Sequence, residues 1–105
     1  MPAKKPPPWF VYIAKCADET LYVGIALDVA RRIAAHDAGR GARYTRGRGP
    51  LRVLATQRCS DKGDALRLEL ALKRLSRDDK RVIAASKRKL ALLARAVRER
   101  SASQA

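Results

Sequence analysis

Between Leu21 and His36 the sequence LYVGIALDVARRIAAH passes from one hydrophobic period to another, and that passage constrains the fold more than any other feature. Leu21, Val23 and Ile25 alternate with Tyr22 and Gly24, the period of a half-buried strand. Asp28 then offers an N-cap side chain to a helix that starts at Val29 and occupies the stretch 28–38. At about 100° per residue, Val29, Arg32, Ile33 and His36 fall within about a 100° arc. Arg32 and the only histidine of the chain therefore share a face with the residues that anchor the helix to a sheet, at the rim of the core. A cation and an imidazole in that position require something anionic beside them.

At 105 residues the chain is long enough for one domain with a modest core. Its 24 Lys and Arg against 10 Asp and Glu give a formal net charge of +14, a field that concentrates polyanions. Nucleic acid is the default partner, and a merely solubilising basic surface is the alternative. Position is more informative than total charge. No acid occurs from Ala38 to Ser60, whereas Arg40, Arg43, Arg46, Arg48, Arg52 and Arg58 all fall inside, forming a stripe suited to tracking phosphates. The opening residues MPAKKPPP have basic groups but no apolar run after them, and are expected to form a mobile, extended arm. No window approaches the roughly 18 consecutive apolar residues of a membrane span, so no membrane partner is expected. Cys16 and Cys59 stand alone, without a CxxC pair, and read as reduced thiols of a cytoplasmic protein rather than zinc ligands.

The remaining elements follow in order. Trp9 to Cys16 (WFVYIAKC), aromatic and β-branched, is a first strand, and the short polar link Ala17 to Thr20 makes the second its antiparallel hairpin partner. Tyr12 and Tyr22 then share a face only if the turn has an odd number of residues or contains a bulge. Residues 39–50, with four glycines and four arginines, form a loop whose glycines permit close backbone approach to phosphate, and whose Tyr44 either stacks or packs. Leu51 to Arg58 is a third strand, with Pro50 tolerated at its start. Residues 64–75, DALRLELALKRL, form the main core helix. Glu69 falls between Ala65, Leu66 and Leu72 on its wheel, so the carboxylate emerges within apolar surface, where an unpaired charge costs several kcal/mol. It needs either a metal ion or Lys73 at i+4, the latter being the common arrangement in helices. Ser76 and Asp78-Asp79 restart the helix. From Lys80 to Arg100 the apolar residues Ile83, Leu90, Leu93 and Val97 follow a heptad seam. They give a basic amphipathic tail that packs back on the core or binds a polyanion, with a frayed SASQA end.

Tyr12 in FVYI, Tyr22-Val23-Gly24 after the hairpin, Arg32, His36 and Glu69 in ALRLE together resemble the GIY-YIG nuclease family, especially its small single-domain bacterial members. The resemblance covers Trp9 to Ala85. It leaves 1–8 as an arm and 86–105 as a basic helical extension with no counterpart in the family core. The first motif departs from the family by reading Phe10-Val11-Tyr12, without its glycine and isoleucine, but keeps the tyrosine. The resemblance implies an α+β fold, a small three-stranded antiparallel sheet flanked by helices in the order β-β-α-β-α-α.

Chemically, the resemblance implies an endonuclease that hydrolyses DNA phosphodiesters with one divalent ion, Mg²⁺ or Mn²⁺. Glu69 would hold that ion, and water and substrate would supply its other ligands. By the same resemblance Tyr12 is the general base or water-orienting group and Tyr22 helps place water and substrate. Arg32 neutralises the phosphate, and His36 accepts or relays a proton. Free tyrosine titrates at about 10, so Tyr12 would need Arg32, the metal and His36 to favour its phenolate. The family typically leaves 5′-phosphate and 3′-hydroxyl ends. The expected nucleic-acid contacts are Arg40, Arg43, Tyr44, Arg46, Arg48 and Lys73, and the expected partner is DNA, branched and single-stranded forms included, with RNA left open. A second reading, from a different class, is a nucleic-acid-binding module with this fold and little or no cleavage of its own.

Overall fold

The computed structural model describes residues 7–41 and 45–103. Most of the expected arm, together with Arg43 and Tyr44 of the glycine-arginine loop, therefore lies outside the described residues. Strands β1 (Trp9–Lys15), β2 (Leu21–Ala26) and β3 (Arg52–Cys59) form one antiparallel sheet in the order β2-β1-β3. Helix α1 (Val29–Asp37) lies between β2 and β3 in sequence, and α2 (Lys62–Lys73), α3 (Arg77–Ala84) and α4 (Lys87–Ser103) follow. The fold is α+β, as the sequence implies.

The central strand carries the core on both its faces, which is why it is apolar from Trp9 to Ala14 rather than alternating with charged residues. Val11, Tyr12, Ile13 and Ala14 are all fully buried. On one side of the sheet Val11, Ile13 and Val23 cluster with Ala65, Leu68 and Leu72 of α2 and Leu90 of α4. On the other, Tyr12, Ala14 and Ala26 cluster with Leu51 and with Val29 and Ile33 of α1. In the hairpin Lys15 pairs with Leu21, so the turn from Cys16 to Thr20 has an odd number of residues. Tyr12 therefore lies opposite Gly24, and Ala14 opposite Tyr22, which puts both tyrosines on the face that packs against α1.

Local hydrogen bonds set the element boundaries. Asp28 caps α1 as expected, accepting from the Arg31 N–H at 3.0 Å. The third strand starts at Arg52, one residue later than expected, because the Leu51 N–H donates to Asp37 Oδ1 at 2.9 Å and ties the loop to the end of α1. Helix α2 starts two residues early because Asp61 accepts from the Asp64 N–H at 2.8 Å.

The largest difference concerns the tail. The expected continuous helix from Lys80 to Arg100 is two helices. α3 ends at Ala84, and Ser86 restarts the chain by accepting the Lys89 N–H at 3.2 Å. That break lets α4 fold back over α2 and β3. Ile83, Leu90, Leu93 and Val97 all reach the core, but from two helices rather than along one seam. The tail therefore packs on the core, with Lys87, Arg88, Lys89, Arg95, Arg98 and Arg100 exposed. Its helix runs through Ser103, so much of the expected frayed end is ordered helix.

Candidate active site

One helix turn separates Arg32 from His36, and α1 packs on the tyrosine-bearing face of the sheet, so both side chains are brought to Tyr12. The Tyr12 hydroxyl lies 3.0 Å from His36 Nε2. On the far side of the ring, His36 Nδ1 lies 2.6 Å from Thr45 Oγ1. All three side chains are buried, with relative exposures of 0% for Tyr12, 2% for His36 and 1% for Thr45. Buried polar groups are tolerated only when hydrogen-bonded, and these two contacts pair the Tyr12 hydroxyl and both imidazole nitrogens. The Tyr22 ring completes the cluster, with its centroid 5.2 Å from the imidazole and 6.1 Å from the Tyr12 ring.

Two glycines make room for this packing. A Cβ on Gly24 would stand 2.5 Å from the Tyr12 hydroxyl oxygen and 2.7 Å from the ring carbon bearing it. At Gly41 a Cβ would overlap His36 Nδ1. Gly24→Ala is therefore expected to push the Tyr12 hydroxyl off His36 and to cost about 1–3 kcal/mol, the usual penalty for overpacking. Thermal melting checks the stability loss, and a melting point equal to wild type would show that the tyrosine yields without cost.

The electrostatics follow from burial and from one cation. Arg32 is exposed, and its charge favours ionisation of the Tyr12 hydroxyl. Burial, reinforced by the neighbouring Tyr22 hydroxyl, nevertheless pushes Tyr12 up to about 12, with Arg32 pulling the other way. Arg32 thus favours the phenolate as expected, but without a metal ion desolvation outweighs the cation. Burial likewise raises Tyr22, again against Arg32. His36 is held below its ordinary value by burial and then by Arg32, with Asp37 opposing. A protonated tyrosine therefore faces an imidazole that stays neutral near pH 7.

Glu69 approaches the same cluster from α2, close enough to act electrostatically on both tyrosines. It also forms the helical pair with Lys73, at 3.4 Å. With the Lys73 side chain 51% exposed and that of Glu69 19%, such a pair contributes at most about 0.5 kcal/mol and is readily exchanged. Among the described residues no group of three or more His, Cys, Asp or Glu gathers into a metal cage. A single, partly exposed carboxylate within electrostatic reach of two phenols suits a hard ion that keeps most of its water, and suits no ion that demands nitrogen or sulfur.

The structure thus brings Tyr12, Tyr22 and His36 into contact, with Arg32 and Glu69 close enough to act on the tyrosines electrostatically. The expected nucleic-acid contacts are more scattered. Arg40 and Arg46 are exposed, whereas Arg48 is ion-paired with Asp18 in the β1–β2 turn, and Lys73 is held beside Glu69. Thr45 was not singled out by the sequence. Its only trace there is a small hydroxyl residue among glycines and arginines.

Residues 8–82 match the GIY-YIG catalytic domain, which is a nuclease domain. A UPF0213 protein of Cupriavidus necator is 47% identical over 77 residues, covering 73% of this chain and 84% of that protein. One from Vibrio cholerae is 46% identical over 84 residues, covering 79% and 83%. The solution NMR structure of a UPF0213 protein from Bacillus halodurans is 45% identical, covers 74% of this chain and 83% of that one, and superposes with a TM-score of 0.49. With its catalytic-domain match spanning both tyrosines, Arg32, His36 and Glu69, the chain belongs to the GIY-YIG family, alongside the UPF0213 proteins.

Proposed function

We propose that this chain is a metal-dependent endonuclease acting on DNA phosphodiesters, with Tyr12, Tyr22, Arg32, His36 and Glu69 as its working groups. The supporting observation is the buried contact of the Tyr12 hydroxyl with His36 Nε2 at 3.0 Å, with the positive charge of Arg32 close enough to act on the same tyrosine. A surface that only binds phosphate needs exposed cations. It has no use for a buried phenol-imidazole pair, which costs desolvation to assemble.

The chemistry runs through that pair. Arg32 is exposed and its charge acts on Tyr12, so a phosphate drawn to the guanidinium would be brought next to the tyrosine. A water aligned on phosphorus then gives its proton to the Tyr12 oxygen as Tyr12 passes its own to His36 Nε2, so no free phenolate has to accumulate at neutral pH. The water oxygen bonds to phosphorus, the bond to the 3′-oxygen breaks, and that oxygen takes a proton from solvent, leaving 5′-phosphate and 3′-hydroxyl ends. Arg32 meets the charge that builds on the phosphoryl oxygens. Tyr22 orients the water. Glu69 would hold a single Mg²⁺ or Mn²⁺ ion, which would supply Lewis-acid polarisation of the phosphate.

Arg32→Ala should lower the single-turnover cleavage rate on the order of 10² to 10³, the loss seen when one preorganised donor is removed, with DNA affinity barely changed. Lysine should restore it only in part, since it keeps the charge but loses the planar fork. Arg31 is the control. It lies one residue away on α1, about 100° around the helix, and is exposed. Its alanine variant should cleave like wild type. Equal rate losses at Arg31 and Arg32 would mean that bulk positive charge, and not a placed guanidinium, is what matters.

A further inference from the structure

We infer that Thr45 is a positioning residue whose hydroxyl accepts the Nδ1–H of His36, holding the imidazole in the tautomer whose bare Nε2 faces Tyr12. Two observations assign the hydrogens. The hydrogen of Tyr12 is buried and needs an acceptor of its own, and Nε2 stands 3.0 Å away. A neutral ring whose Nε2 accepts must carry its hydrogen on Nδ1, and Thr45 Oγ1 lies 2.6 Å from that nitrogen. Gly41 leaves this contact open, since a Cβ there would overlap Nδ1. The glycine-arginine loop is therefore more than a phosphate stripe, because its Thr45 sets which nitrogen of His36 is free to take a proton.

The tautomer itself follows from the geometry. Its consequence for rate rests on the nuclease reading above. With a single histidine in the chain, a long-range ¹H–¹⁵N spectrum reads the ring without assignment ambiguity. At neutral pH the wild type should show a protonated Nδ1 and an unprotonated Nε2. Thr45→Ser should keep that pattern. Thr45→Val, which keeps the shape and loses the acceptor, should move the population toward the Nε2–H form. On DNA it should lower the single-turnover rate by about 10- to 100-fold, the usual loss when a histidine loses its orienting partner, with affinity unchanged and serine restoring most of the rate. A protonated Nε2 in the wild type, or a valine spectrum identical to wild type, would overturn the inference. If the valine variant does not fold, the wild-type and serine spectra decide it. The expected tautomer in a protein that cuts no DNA would sink the nuclease reading and leave this one standing, whereas cleavage by a protein with the opposite tautomer would do the reverse.

Discussion

Glu69→Ala is expected to abolish divalent-dependent cleavage while leaving the fold and the DNA affinity near wild type. The expected loss is at least about 10³ in rate, on the scale of losing a group that supports the reacting charge. The fold should survive because the only ion pair Glu69 makes among the described residues is the exposed one with Lys73, at 3.4 Å, and such pairs contribute a few tenths of a kcal/mol. Removing a carboxylate beside two tyrosines also relieves an influence that raises both their pKa values. Affinity should survive because Arg40, Arg46 and the cations of α4 remain exposed. Thermal melting and fluorescence anisotropy on labelled DNA separate the two effects. A variant that unfolds, or one that cuts normally, would make Glu69 the structural partner of Lys73 and nothing more.

Tyr12→Phe removes one oxygen atom and should lower the cleavage rate by about 10² to 10⁴, the range that positioned acid–base groups contribute. Unlike Glu69, Tyr12 is fully buried and its hydroxyl hydrogen-bonds to His36 Nε2 at 3.0 Å, so the phenylalanine ring loses that buried hydrogen bond. Such a loss costs on the order of 1 kcal/mol, so a lowered melting point should accompany the lost rate. The rate loss must persist at temperatures where the variant is still folded. An unchanged rate in a folded Phe variant would leave His36 with no proton to receive from this strand.

How much of this could be read beforehand depended on whether the cause was local. The strand-to-helix passage from Leu21 to His36 was legible because both periods and the Asp28 cap lie within a few residues of one another. So was the shared face of Arg32 and His36, which needs only helix geometry. The joining of Tyr12 and Tyr22 on one face was legible only as a condition, since the turn from Cys16 to Thr20 sets the register. The break before α4 left one weak signal, the N-cap residue Ser86. Ala85 and Ser86 include no proline or glycine, and the spacing of Ile83, Leu90, Leu93 and Val97 is the same whether one helix carries it or two. Thr45 was illegible because a glycine-rich loop has no period, and its contact with His36 exists only once that loop closes on α1. For Tyr12 the sequence indicated the direction of the Arg32 effect but not the burial that outweighs it.

The most direct test of the account is to incubate the purified chain with end-labelled branched, single-stranded and duplex DNA, with Mg²⁺ and with a chelator, and to analyse both the cut sites and the ends. The account predicts cleavage of at least one of these substrates that requires the divalent ion and leaves 5′-phosphate and 3′-hydroxyl ends. DNA that is bound but stays intact, or is cut equally well in the chelator, would contradict it.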